Sequence, residues 1–268
     1  LIDAGKRSVL GVLVDTVDYD GAVERILLAA RDGRPCAVSA LAVHGVMTAV
    51  RDGVLRRRVN GMDLVTPDGQ PVRWALNLLH GAHLTDRVYG PTLTLHLLER
   101  AAAEDIPVYF YGSTPEVLGR LVPSVTSRYA GLRVAGHEPS RFAAAGPAEL
   151  DEIAERIRAS GARIVFVGLG CPRQEVFVSA MRERLGVPAL AVGAAFDYHA
   201  GLQQEPPGWV QRAGLQWLCR LIAEPRRLWR RYLLLNPAYV TLLAAQRLHL
   251  WRPDTSGSTP DPAAPIAA

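Results

Sequence analysis

The chain has 268 residues, of which 49% are hydrophobic and 21% charged, and its net charge is +4. That is apolar enough to bury a large core in one domain, or in one domain with an appendage, and it excludes a chain disordered throughout by composition. No apolar run reaches the ~18 residues of a membrane-spanning helix, and Cys36, Cys171 and Cys219 are too scattered for a zinc spacing, so a reducing cytoplasm is the expected setting.

Taken in chain order, Ser8 to Val14 reads as a strand. A helix follows over Asp20 to Ala30, with Asp20 as its N-cap. Pro35 to Ser39 predicts a strand and Leu41 to Val50 a helix. Leu64 to Thr66 predicts a short strand, followed by a Pro-Asp-Gly turn and a helix through Leu79. Helices over 92–103, 115–129, 147–160 and 172–185 alternate with strands over 108–111, 133–135, 164–167 and 189–192. This alternation predicts a mostly parallel sheet with helices on both faces, and ligands beyond the carboxyl ends of its strands. The α/β core is expected over residues 1–203. Helical, arginine-rich sequence with tryptophans forms an appendage over 204–251, and residues 252–268 form a disordered tail.

Three strand-to-helix junctions suit anions: Gly112 to Pro115, Gly168 to Glu175, and Val192 to Asp197. Their glycines let backbone approach a ligand, and helix N-termini offer N–H groups and a positive dipole. Ordinary strand-to-helix turns use the same residues. Neither GxGxxG nor GxxxxGK[ST] occurs, which argues against dinucleotide and P-loop sites. Asp68, directly after a short strand, is placed to take a proton from a hydroxyl, or simply to shape a Pro-Asp-Gly turn. Asp18-Tyr19-Asp20 matches a metal-holding Asp-x-Asp pattern, but its place at a helix start favours capping. No metal site and no cofactor are expected.

Between Arg212 and Arg252 there are eight arginines and one acid, Glu224, interleaved with Trp217, Trp229, Tyr232, Tyr239 and Trp251. Amphipathic basic helices of this kind suit an anionic membrane surface. A nucleic-acid partner is not expected, because the sole lysine is Lys6 and the first 200 residues carry no coherent basic patch.

Taken together, these segments resemble the WecG/TagA/CpsF family of bacterial glycosyltransferases. Asp63 to Ala75 is similar to its DLV-x-x-DG-x-x-x-x-WA stretch. Gly168 to Glu175 is similar to its G-x-G-x-P-(K/R)-Q-E stretch. Arg87-Val88-Tyr89-Gly90 also fits, and Val192 to Asp197 with Gly214 to Trp217 and Glu224 to Tyr232 resembles its C-terminal signature. The resemblance implies a Rossmann-like α/β core with a C-terminal helical appendage. It implies an inverting, metal-independent transfer of an N-acetylmannosamine- or glucose-type sugar from a UDP-sugar to a polyprenyl-diphosphate-linked saccharide. The expected setting is the inner face of the cell membrane, and self-association is compatible with the family.

By the same resemblance Asp68 is the catalytic base. Ser39, Arg87 and Gln174 position donor or acceptor, with Gly112, Gly168, Gly170 and Asp197 at the junctions. Arg220, Arg227 and Arg230 close over the diphosphate. The chain departs from the family pattern at Leu41, Gln204, Glu205 and Gln216. Those departures support an alternative, a non-catalytic nucleotide-sugar-binding protein at the membrane surface.

Overall fold

The computed structural model describes residues 1–141 and 145–255, with backbone alone at Arg227 and Arg231. The chain opens with a hairpin of β1 (Asp3–Val9) and β2 (Val12–Val17), where the sequence reads one strand. Leu10 and Gly11 both take positive φ, 55° and 86°, as a tight turn matched to strand twist requires. The turn is hidden because the run from Val9 to Val14 is apolar throughout and lacks an Asn-Gly. Leu10 is buried, and its N–H donates to Gln246 Oε1 at 2.9 Å. Helix α1 (Tyr19–Asp32) is capped by Asp18 rather than the expected Asp20. Asp18 Oδ1 accepts from the Gly21 N–H at 2.8 Å, so this aspartate is used for capping.

There follow β3 (Cys36–Leu41), α2 (Val43–Arg51), α3 (Gly53–Asn60), β4 (Leu64–Pro67), α4 (Gln70–His80) and α5 (Gly90–Ala103). Next come β5 (Val108–Gly112), α6 (Pro115–Arg128), β6 (Val134–Glu138), α7 (Pro147–Ala159), β7 (Ile164–Gly168) and α8 (Arg173–Leu185). The chain ends with β8 (Pro188–Ala191), α9 (Ala195–His199), α10 (Gly208–Arg212), α11 (Gln216–Ala223) and α12 (Pro225–Arg247). Helix α3 escapes the sequence reading because Arg56-Arg57-Arg58 masks its apolar stripe. Asp52 caps it, accepting from the Val54 and Leu55 N–H groups.

Among the described residues, β3 to β8 form one parallel sheet in the order β4-β3-β8-β7-β5-β6. Alternate residues supply two cores, one on each face. Ala37, Val65, Tyr111, Val167 and Ala191 face one core, while Val38, Leu64, Phe110, Phe166 and Leu190 face the other. This is the Rossmann-like α/β architecture the alternation predicts. Each fully buried Phe or Leu in these layers contributes roughly 1.5–3 kcal/mol over leaving it exposed. The connections leaving the neighbouring strands β7 and β5 run to opposite sides, to β8 and to β6, and ligands in such folds bind beyond the carboxyl ends of the strands.

The hairpin is tied on by the buried Asp15, whose Oδ2 accepts from the Val65 N–H at 2.7 Å and whose Oδ1 pairs with Arg25 at 2.9 Å. Helix α12 contributes Leu235 and Tyr239 to the first core, and the Tyr239 hydroxyl donates to the Pro71 carbonyl at 3.0 Å. The helical appendage therefore ends inside the core packing. Trp251 packs against the same core, and Asp254 lies 3.5 Å from Arg56. The remainder of the expected tail, residues 256–268, lies outside the described residues. No helix among the described residues is long and apolar enough to cross a membrane.

Candidate active site

A cleft of about 820 Å³ opens over the carboxyl ends of β3, β4, β7 and β8, and α11 and α12 wall its far side. The loops that follow these strands furnish its floor, as expected for an open parallel sheet.

Asp68 stands on that floor. Its N–H donates to the Leu41 and Thr66 carbonyls, which holds the residue against the ends of two adjacent strands. Its Oδ1 accepts from the Gly90 N–H, the first residue of α5, at 2.6 Å. Oδ2 accepts no hydrogen bond among the described residues. Burial pushes this carboxyl above the ordinary carboxylate range, and Arg87, the Gly90 N–H and Arg220 oppose that shift. The result is a carboxylate with one anchored oxygen, one available oxygen and enhanced basicity.

Arg87 is 6% exposed and sits over the Tyr89 ring, its Cζ 4.0 Å from the centroid. Its Nη1 donates to Gln216 Oε1 and its Nη2 to Gln211 Oε1, each at 2.8 Å. Arg220, on α11, enters the cleft from the opposite side. Its buried Nε has no hydrogen-bond partner, and no carboxylate among the described residues lies within ion-pair distance of it. Arg87 and Arg220 thus face the cavity without a close ion pair among the described residues, and Asp68 shares that cavity with them.

A second polar cluster lies beneath the Gly168–Gln174 junction. Gln174, in the first turn of α8, donates through Nε2 to Glu175 Oε1 at 2.9 Å, and the Ser39 hydroxyl donates to the same oxygen at 3.2 Å. Glu175 Oε2 and Gln174 Oε1 are buried without hydrogen-bond partners. Burial also raises the Glu175 carboxyl above its ordinary range, against the opposing effect of Gln174, Cys171 and Ser39. Two unpartnered acceptors beside an open cavity suit a ligand that brings hydroxyl or N–H donors.

The glycines divide into two kinds. Gly168 is small because a Cβ there would meet the Phe196 ring at 2.6 Å, and Gly112 (φ 107°) because a Cβ would come within 2.8 Å of the Gly168 carbonyl. Gly170 (φ 76°) instead lines the cleft with nothing within 4 Å of its Cβ position, and Asp197 of α9 lines it too.

The structure therefore brings Asp68, Arg87, Gly168, Gly170, Gln174, Asp197 and Arg220 into one cavity. Ser39 lies behind its wall, hydrogen-bonded to Glu175. Gly112 packs under the wall and leaves Ser113 to line the cleft. Arg230 does not reach the cavity; it is exposed, its guanidinium 5.2 Å from the Trp229 ring. The Arg227 side chain lies outside what the structure describes. Sequence reasoning gave no site role to Glu175, Tyr89 or Gln211. Glu175 and Tyr89 adjoin residues singled out within recognisable stretches. Gln211 carries no local signal, because its role arises from long-range packing.

A profile of the "Glycosyl transferase WecG/TagA/CpsF family" matches residues 7–253. The chain is also 30% identical, over 204 residues, to the N-acetylglucosaminyldiphosphoundecaprenol N-acetyl-beta-D-mannosaminyltransferase of Bacillus spizizenii (strain ATCC 23059 / NRRL B-14472 / W23), a match that covers 76% of each chain.

Proposed function

Because the chain belongs to the WecG/TagA/CpsF family of glycosyltransferases, we propose that it moves a sugar of the N-acetylmannosamine or glucose type from a UDP-sugar to a polyprenyl-diphosphate-linked saccharide, with inversion and without a metal. The observation that carries this reading is Asp68 at the floor of a cleft that Arg87 and Arg220 also line.

In the proposed reaction Asp68 Oδ2 accepts the proton of an acceptor hydroxyl as that oxygen attacks the anomeric carbon. The new glycosidic bond forms while the bond to the diphosphate breaks. The electron pair leaves with UDP, whose growing negative charge Arg220 and Arg87 stabilise. Asp68 then returns its proton to solvent. Gln174, held by Glu175, offers its amide oxygen to donor groups of the bound sugar or nucleoside.

The outer faces of α10 to α12 support a place at an anionic membrane surface. Trp209 on α10, Ile222 on α11 and Leu233 and Leu234 on α12 are exposed apolar side chains, and α12 also carries the exposed Arg226 and Arg230. An acceptor carried on a polyprenyl chain is presented at that surface.

The test is a donor screen with a synthetic polyprenyl-diphosphate N-acetylglucosamine acceptor, run with and without anionic vesicles and with and without chelator. Transfer from a UDP-sugar that persists in chelator and rises with vesicles is the expected result. UDP binding with no transfer from any donor would overturn the enzymatic reading.

A further inference from the structure

Ser39, Gln174 and Glu175 are all buried, and they meet at one atom. Glu175 Oε1 accepts from the Gln174 Nε2 at 2.9 Å and from the Ser39 hydroxyl at 3.2 Å. Gln174 and Glu175 line the cleft, whereas Ser39 does not. A glutamine side chain can be turned two ways, which exchange its donor NH₂ and its acceptor oxygen. Against the Glu175 oxygen only the NH₂ end fits, since the opposite turn would set two oxygens in contact. The Gln174 Oε1 is thereby sent to the other side, where it is buried without a hydrogen-bond partner. That side holds Gly193 of the cleft wall, where a Cβ would stand 3.5 Å from Oε1. Any side chain at 193 would cover this oxygen.

We propose that Glu175 and Ser39 are positioning residues that act through Gln174, fixing which way its amide is turned so that the cleft offers an acceptor oxygen to an N–H or O–H group of the nucleotide sugar. A buried acceptor left unpaired costs free energy that a ligand hydrogen recovers on binding. A freely turning amide would offer either end and discriminate poorly. Ser39, which never reaches the cavity, supports recognition at one remove by holding the Glu175 carboxyl in place. The identity of the ligand rests on the UDP-sugar reading of the cleft, while the orientation of Gln174 does not.

The experiment uses the full chain as Gln174→Ala, Glu175→Leu, Glu175→Gln, Ser39→Ala and the double variant Ser39→Ala/Gln174→Ala. It reads affinity for UDP, UDP-N-acetylmannosamine and UDP-glucose by calorimetry, and solvent exchange of the Gln174 side-chain NH₂ by NMR, its signals identified by their absence in Gln174→Ala. Gln174→Ala and Glu175→Leu are each expected to lower affinity about tenfold and Ser39→Ala about threefold, the scale of one hydrogen bond. Glu175→Gln keeps an acceptor oxygen and is expected to restore affinity to within about threefold of the unaltered protein; comparing it with Glu175→Leu cancels any effect of removing a charge. The double variant is expected to bind within about twofold of Gln174→Ala, because Ser39 has nothing left to act through. A merely structural contact would instead weaken both backgrounds alike. Loss of affinity for UDP itself assigns the ligand hydrogen to the nucleotide, and loss confined to a UDP-sugar assigns it to the sugar. Undiminished affinity for all three in Gln174→Ala, or a full Ser39→Ala effect in the Gln174→Ala background, overturns the relay. The NH₂ exchange is expected to be at least tenfold faster in Glu175→Leu, and unchanged exchange overturns the orienting role. Should the unaltered protein bind none of the three, the UDP-sugar reading and the recognition role fall together, and NH₂ exchange decides the orientation.

Discussion

Asp68 and Gly90 meet through a 2.6 Å hydrogen bond from the first backbone N–H of α5 to one carboxylate oxygen. An amide oxygen also accepts that bond, without the assistance of charge, so Asp68→Asn keeps the anchor in a weaker form and removes the base. Turnover is expected to fall by about 100-fold or more, the typical cost of losing a general base. Thermal unfolding of the variant at neutral pH is expected at or above the unaltered midpoint, because a buried charge has been removed. Near-normal turnover in a folded Asp68→Asn protein removes this residue from the mechanism.

The pH profile follows from the same surroundings. Burial raises the Asp68 carboxyl, and Arg87 and Arg220 counter that shift. The base works only when ionised, so kcat/KM is expected to drop as pH falls through its raised value, on an acid limb above the ordinary aspartate pKa of about 4. Arg220→Gln removes one of the opposing charges and is expected to move that limb to higher pH. The same change weakens UDP binding about 10- to 100-fold, the scale of a lost charged hydrogen bond. A limb that stays in place or moves downward in Arg220→Gln contradicts the arrangement.

Glu175 makes the corresponding prediction for stability. Burial raises its carboxyl above the ordinary value of 4.5. A group whose pKa is higher folded than unfolded contributes stability that is fully present below its unfolded pKa and lost as pH rises through its folded value. Glu175→Gln keeps an oxygen to accept from Ser39 and Gln174 but cannot ionise. Its unfolding free energy in urea is therefore expected to match or exceed that of the unaltered protein at pH 8, and to fall less between pH 5 and pH 8. A steeper decline in the variant over that interval refutes the assignment.

The sheet is legible in the sequence because a parallel strand buried on both faces is a short apolar run between turn residues, as at Ile164 to Val167. The hairpin is not, since Leu10-Gly11 turns inside unbroken apolar sequence and its burial depends on Gln246, 236 positions away. The floor of the site is legible for a local reason: Asp68, Gly170 and Gln174 sit where strands end. The wall opposite is not, because Arg220 and Arg230 look alike in a basic stretch and packing alone sends one inward. Recognisable stretches also mix roles. Asp63 opens the Asp-Leu-Val segment, yet it accepts from the Ala37 N–H and pairs with Arg182 at 2.7 Å, tying β4 to α8 far from the cleft's chemistry.

The last helix combines a basic composition with core packing. Its arginines and Trp229 suit an anionic membrane surface, while Leu235 and Tyr239 face the core and Tyr239 bonds to the chain at the start of α4. Removal of residues 204–268 therefore strips a core layer as well as any membrane contact, and such a truncation cannot isolate the membrane's role. Single substitutions can. Leu235→Ala is expected to cost about 2–5 kcal/mol by opening a cavity, and Tyr239→Phe about 1 kcal/mol by losing one hydrogen bond, both measured by urea unfolding. Exposed Leu233→Ala, on the same helix but pointing outward, is expected to stay within about 0.5 kcal/mol of the unaltered protein while lowering binding to anionic vesicles. If Leu233→Ala instead destabilised the fold as much as Leu235→Ala, the outward face of α12 would be packed against protein and not available to a membrane.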